Sequence, residues 1–239
     1  MINHQIPEQN SMAEKHQLVA VGDVHGCPHS LEALLNKLSS YHSSTFVFLG
    51  DYIDRGPDSK SVIDLLIDFS RDVECIMLRG NHEQMMIDAL ASGDTSLWFH
   101  NGGRDTLLSY GNKFTNPDLP APHYHFIHNT KMYYESENYF FVHAGLPADM
   151  KIKEAIANQQ IWQEFLWQRS HLDVDHPNWE KRVVFGHTPI PEPLITEYMI
   201  GVDTGCVFPN LPGLGYLTAV VLPEQEFIAQ HCLDQPRPY

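Results

Sequence analysis

The chain of 239 residues carries only four cysteines, Cys27, Cys75, Cys206 and Cys232, widely spaced and without a CxxC pair. That scarcity argues against a disulfide-stapled scaffold and against a structural zinc site. Basic residues are also scarce. Fifteen Lys and Arg face 30 Asp and Glu, a formal charge of −15. Such a surface repels nucleic-acid phosphates, so a broad nucleic-acid-binding face is not expected. No apolar run approaches the roughly 18 residues that a membrane span needs. There is no internal repeat, no low-complexity tract and no GxxxxGK(S/T) phosphate loop, which removes repeat arrays and P-loop nucleotide hydrolases. Met1 to Lys15 is polar and lacks the basic-then-apolar order of a secretory signal. The expectation is a disordered or loosely docked extension over residues 1–16, a single domain over 17–239, and a cytoplasmic protein.

What is present is a chain that can bury one sizeable core, with 43% hydrophobic residues. Gln17–Val21, Thr45–Leu49 and Glu74–Leu78 are short apolar runs that read as buried strands. Each runs into a cluster of Gly and polar residues, and each is followed by a helical pattern. Leu31, Leu34, Leu35 and Leu38 share one face, with Ser30 as a candidate cap. Val62, Ile63, Leu65, Leu66 and Phe69 form the next stripe, capped by Asp58 or Ser59. A third helix runs through Met85–Ala91. This is the βαβ pattern of an α/β sheet, whose catalytic groups gather beyond the carboxyl ends of the strands. Later strands are expected at Tyr139–Val142, Arg182–Phe185, Ile200–Val202, Tyr216–Leu222 and Phe227–Gln230. They suggest a second sheet packed on the first. Asn112–Thr130, with three prolines, reads as a long loop, and Ile152–Arg169 as a helix.

Histidine is abundant, at 15 residues. Five polar clusters follow five of the strands: Asp23-Val-His25, Asp51 to Arg55, Asn81-His82-Glu83, His143 and His187. Their Asp, His and Asn side chains are oxygen and nitrogen ligands suited to Mn²⁺, Fe or Zn²⁺. In extended backbone Asp23 and His25 point to the same side. Five clusters at equivalent places in the topology are not explained by scattered surface histidines. Carboxylates gathered around cations also give a use for the excess acid.

Gly22-Asp-Val-His-Gly26, Gly50-Asp-Tyr-Ile-Asp-Arg-Gly56 and Gly80-Asn-His-Glu83 resemble the three-part signature of the calcineurin-like metallophosphoesterases, and within them the bacterial phosphoprotein phosphatases. His143-Ala-Gly145, Gly186-His-Thr188 and Asp203-Thr-Gly-Cys206 match that branch too. The resemblance covers about Gln17 to Leu222. It implies an αββα sandwich of two packed mixed β-sheets flanked by helices, and a centre of two divalent metal ions, most simply Mn²⁺. By resemblance, Asp23, His25 and Asp51 are ligands of the first metal, with Asp51 bridging. Asn81, His143 and His187 complete the second. His82 resembles the general acid, held by Asp54, and Arg55 a phosphate-binding arginine. Arg169, within Leu166-Trp-Gln-Arg169, is the candidate for a second phosphate-binding arginine. The implied reaction is in-line attack by metal-bound hydroxide, without a covalent phosphoenzyme. The chain has no CxxxxxR nucleophile motif to suggest otherwise.

A phosphoprotein substrate is the first expectation, because Asp54-Arg55 and Glu83 side with the protein phosphatases. Symmetrical dinucleoside tetraphosphate hydrolysis is the alternative, because Asp203-Thr-Gly-Cys206 is shared with those relatives; the Pro- and Gly-rich segment Val207–Gly215 departs from the shorter turn expected in bacterial relatives and is placed to reshape one wall of the cleft. A non-enzymatic scaffold is the remote alternative, since all six ligand positions are filled. His123, His125 and His128 read as exposed loop histidines, Cys27 and Cys206 as small buried thiols, and the Trp162–Trp167 stretch as core packing.

Overall fold

Alternate residues of strand β1 (Leu18–Val21) serve two different cores in the computed structural model of the chain, which describes residues 17–111 and 119–235. Leu18 and Ala20 point into a cluster shared with Phe141, Val184 and Ile200. Val19 and Val21 point the other way, toward Leu31, Leu34, Val62 and Leu66. This period-2 division is what a strand buried on both faces requires.

The first sheet grows from β1 through crossover helices. After β1 come α1 (Pro28–Lys37), β2 (Thr45–Phe48), α2 (Ser59–Phe69), β3 (Cys75–Met77) and α3 (Asn81–Ser92). Three short helices follow: α4 (Ser96–His100), α5 (Gly103–Ser109) and α6 (Ala121–His128). The second half supplies β4 (Tyr133–Glu135), β5 (Tyr139–Val142), α7 (Ile152–Ala157), α8 (Glu164–Trp167), β6 (Arg182–Phe185), β7 (Leu194–Ile195), β8 (Met199–Gly201), β9 (Asp203–Thr204), β10 (Tyr216–Leu222) and β11 (Glu226–His231). The sheets have the orders β11-β10-β1-β2-β3, with β9 on β10, and β4-β5-β6-β8-β7. The strands β1, β2 and β3 are parallel, as are β5, β6 and β8; the outer pairings are antiparallel.

The two sheets meet through the apolar cluster that joins Ala20, Val47 and Leu49 to Phe141, Val184 and Ile200. Helices α1, α2 and α3 cover the outer face of the first sheet, and Ile152 of α7 and Phe165 of α8 lie against the second. The result is the expected α/β sandwich of two mixed sheets between helical layers. Its consequence for chemistry is directional. The carboxyl ends of β1, β2, β3, β5 and β6 all open toward one edge, where the five polar clusters sit.

Several local expectations are corrected. Ser30 does not cap α1; Cys27 occupies the cap position, with Pro28 starting the helix. The Asp234 carboxylate, brought from the far end of the chain, accepts the His29 and Ser30 amides and the Ser30 hydroxyl instead. Asn112–Thr130 is not all loop. Pro120 and Pro122 flank the start of α6, where a missing amide costs nothing; residues 112–118 lie outside the described residues, as does the extension 1–16. His123 on α6 is buried rather than exposed, between the Tyr110 hydroxyl at 2.8 Å and Asp64 at 2.9 Å. The expected helix over 152–169 is broken at Asn158, whose side chain accepts the Gln160 amide and starts a separate turn. Trp162 packs in the core, but Trp167 is exposed.

Asp58 does cap α2, accepting the Ser61 amide at 3.0 Å. Asp58→Ala is expected to cost about 1 kcal/mol and to lower the melting temperature by about 2–4 °C, read by calorimetry. An unchanged melting temperature would contradict the cap's contribution.

Candidate metal centre

Asp51 stands three residues past the end of β2, at a left-handed φ of +52°. His25, Asp54, Arg55 and His187 are also left-handed, at +46°, +72°, +67° and +65°. Non-glycine residues adopt this conformation at a cost of about 1–3 kcal/mol each, and they persist where the surroundings enforce it. Here Glu83 supplies much of that enforcement. Its buried carboxylate accepts the amides of Asp51 at 2.9 Å, Tyr52 at 2.8 Å and Gly80 at 2.9 Å, tying the β2 turn to the start of α3. Burial, with Asp51 nearby, raises the Glu83 carboxyl to about 7.

Asp51 Oδ1 accepts the His82 amide at 3.0 Å. Asp51 Oδ2 faces His143 Nε2 at 3.4 Å and His25 Nε2 at 3.5 Å. Each of those rings is held from behind. His25 Nδ1 lies 2.9 Å from the Ile53 carbonyl and His143 Nδ1 lies 2.8 Å from the Leu49 carbonyl. A carbonyl only accepts, so each Nδ1 carries a proton and each Nε2 is turned toward the centre. Asn81 Oδ1, His143 Nε2 and His187 Nδ1 form a triangle with sides of 2.9, 3.0 and 3.1 Å. Asp23 completes the wall, with both oxygens 3.1 Å from the His187 amide. Burial and the neighbouring Asp203 push its carboxyl well up, and Asp203 itself is raised to about 6 by burial.

His82 and Asp54 sit beside this set. His82 Nδ1 is 2.7 Å from Asp54 Oδ2, and Asp54 also accepts from Trp98 Nε1 at 2.9 Å and Thr106 Oγ1 at 2.6 Å. Burial pulls the His82 imidazole down to about 3, against the opposing charge of Asp51. It also pushes Asp54 well up, against the Thr106 and Trp98 hydrogen bonds. Arg55 Nη1 lies 2.9 Å from His25 Nε2, and its guanidinium is 5.7 Å from the Phe208 ring centroid. Arg169 is the outlier: it is exposed at the rim, with Nε 3.3 Å from Thr188 Oγ1.

A family model described as calcineurin-like phosphoesterase matches residues 16–209. The chain belongs to the calcineurin-like phosphoesterase family. Among its relatives is the asymmetrical bis(5'-nucleosyl)-tetraphosphatase PrpE of Oceanobacillus iheyensis, 30% identical, with 87% of this chain and 90% of that protein covered. Serine/threonine-protein phosphatase 1 of Salmonella typhimurium is also 30% identical, covering 79% of this chain and 86% of that one. A crystal structure titled as a putative diadenosine tetraphosphatase shares the fold, with a TM-score of 0.67 at 22% identity, covering 93% of this chain and 96% of that one.

Metallophosphoesterases work through a dinuclear metal centre, and the residues of this chain fit one. Two buried groups of possible ligands, His25–Asp51–His82 and Asp51–His143–His187, share Asp51. The ligand atoms crowd one another across the centre, and His82 Nε2 and His187 Nε2 are buried without a hydrogen-bond partner. Buried ligand atoms in that arrangement call for cations between them. The motifs pointed to the polar residues but not to Trp98 and Thr106, which steady Asp54 from helices α4 and α5. No spacing rule connects those positions to Asp54. In the sequence Glu83 is only a mark of the protein phosphatases; its amide partners Asp51, Tyr52, Ile53 and Gly80 give it a structural reason.

Two glycines of this phosphoesterase are there for want of room. A Cβ on Gly186 would strike Asp23 Oδ1, and one on Gly80 would strike Asp51 Oδ1. Gly186→Ala is expected to weaken binding of the activating cation about 10-fold or more, the range seen when support around a ligand is disturbed, while the protein stays folded. Isothermal calorimetry of the stripped protein measures it. Undiminished cation affinity would remove Asp23 from the ligand set.

Proposed function

We propose that this phosphoesterase hydrolyses dinucleoside polyphosphates at a dinuclear manganese centre. The observation that carries the chemistry is Asp51 Oδ2, facing ring nitrogens of both candidate ligand groups at 3.4–3.5 Å. Asp23, His25 and Asp51 would hold one cation; Asn81, His143 and His187 would hold the other with Asp51 shared. Bound there, two cations supply charge for the phosphate and lower the pKa of water toward neutrality. Oxygen and imidazole donors without thiolate suit Mn²⁺.

Arg55 presents a planar fork to two phosphate oxygens, and Phe208 backs its guanidinium. Arg169 can swing from Thr188 to meet a second phosphate at the rim. His82 aims Nε2 into the site while Asp54, Trp98 and Thr106 hold its other side. A dianionic phosphate alongside favours the protonated ring, which then gives its proton to the leaving group.

The dinucleotide substrate is supported by the PrpE relative, which matches this chain along 87% of its length. Trp167 adds a physical reason. It is 40% exposed, 5.9 Å from the His187 ring, and offers an apolar face beside the centre on which a base can stack. This reverses the order of substrates expected from Asp54-Arg55 and Glu83 alone. A phosphoprotein substrate remains the second reading, supported by that motif and by the Salmonella relative. We also read residues 17–239 as one catalytic domain and the cytoplasm as its compartment, where four free cysteines would stay reduced.

The test is a side-by-side assay. Stripped protein is reloaded with Mn²⁺ and offered diadenosine tetraphosphate, a phosphoserine peptide and a phosphotyrosine peptide. Faster turnover of the dinucleotide is expected. ATP plus AMP as products would mean asymmetrical cleavage, and two ADP symmetrical cleavage. Faster turnover of a phosphopeptide would overturn the substrate.

A second experiment addresses His82. His82→Asn is expected to lower kcat by about 10²–10⁴ on a phosphoserine peptide, whose alkoxide needs a proton. The loss should be smaller for substrates whose leaving group is a stable anion. Equal losses on both would contradict the general-acid role.

A further inference from the structure

Cys27, Cys206 and Cys232 lie far apart in sequence, yet their three Sγ atoms fall within 4.8 Å of one another in the core beneath the first sheet. They arrive from the turn after β1, the turn after β9 and the segment after β11. Each is a buried free thiol. Their convergence is enforced by other contacts. The clamp of Asp234 on the His29 and Ser30 amides pins the segment after β11 to the start of α1, bringing Cys232 against Cys27. The Cys232 amide also donates to the Gly215 carbonyl at 2.8 Å. Gly205, at φ +68°, turns the chain so that Cys206 faces inward. Outside the trio the thiols meet the His25 carbonyl at 3.4 Å from Cys27 Sγ, the Asp234 carbonyl at 3.3 Å from Cys232 Sγ, and the Ser30 hydroxyl beside Cys206 and Cys232.

We propose that these three cysteines form a second metal site, a trigonal thiolate site for a soft closed-shell cation of the Cu⁺, Zn²⁺ and Cd²⁺ class. Three sulfurs bound at about 2.3 Å stand about 4 Å apart, so the observed spacing needs only a small contraction. Thiolates select soft cations, whereas the carboxylate, amide and imidazole donors around Asp51 select harder ones. The two sites therefore sort metals by chemistry. Binding is a simple exchange: three S–H bonds release three protons and three sulfur–metal bonds form, with no change of oxidation state.

Access follows from the surface. A groove of about 700 Å³ opens beside the segment after β11, lined by Pro28, Leu233 and Asp234 together with the acidic Glu32, Asp64 and Asp68. Pro28 and Leu233 are the chain neighbours of Cys27 and Cys232. An acidic mouth gathers cations ahead of the thiols.

The test uses Cd²⁺ alone as the probe on full-length, fully reduced protein. The readout is the ultraviolet thiolate-to-cadmium charge-transfer band, which oxygen and nitrogen ligands do not produce. The site predicts a band saturating at about one equivalent. It should be lost in Cys232→Ser and kept in Cys75→Ser, which changes the cysteine outside the trio. Cys206→Ala replaces Cys232→Ser if the latter does not fold. No band from folded, reduced protein, or a band that survives loss of Cys232 or Cys206, would overturn the site.

Discussion

The Asp51 carboxylate is fixed on one side and faces imidazole nitrogens on the other. Oδ1 accepts the His82 amide at 3.0 Å, while Oδ2 looks toward His143 and His25 at 3.4 and 3.5 Å. Both neighbouring rings turn Nε2 toward the carboxylate because Nδ1 is committed to a backbone carbonyl, and the charge of Asp51 raises His143 to about 9 against its burial. A buried carboxylate among crowded ligand atoms is unfavourable in low dielectric unless cationic charge neutralises it. The rest of the centre is arranged around that conflict.

Holding the conflict in place takes backbone that the chain would not choose by itself. His25, Asp51, Asp54, Arg55 and His187 all have positive φ. The constraint comes from outside each turn. Glu83 binds four amides across the β2 and β3 ends, Asp23 binds the His187 amide, and the Asp54 amide donates to both Ser59 and Thr106 hydroxyls. The turns are therefore coupled, and a ligand lost at one strand end is felt at the next. The sheets provide the frame. Parallel pairing at fixed register brings the ends of β1, β2 and β3 level with one another, and the apolar layer between the sheets holds β5 and β6 opposite them.

The parts of this arrangement that depend on local pattern were legible before any coordinates. The β1, β2, β5 and β6 segments are apolar runs ending in Gly or polar residues, and Asp58 announces α2 as a cap should. Where local signals misled, a distant group had intervened. Ser30 reads as a cap, but Asp234 takes that task from about two hundred residues away. Pro120 and Pro122 read as loop, but they begin a helix whose buried His123 is tied to Asp64. Trp98 and Thr106 gave no signal at all, because their meaning lies in reaching Asp54 from another helix.

The sequence by itself determined the ligand types, their order and their places at strand ends, since a carboxylate or imidazole after a buried strand is a chemical fact that needs no coordinates. It also determined the family, through the three motifs that begin at Gly22, Gly50 and Gly80. Only the tertiary structure decided which atom of each ligand faces the centre, because that depends on which carbonyl holds the ring from behind. It alone decided that Trp167 stands exposed beside His187, and that three cysteines separated by most of the chain meet in one place. Contacts of that kind arise from sheet order and helix docking, and spacing along the chain carries no record of them.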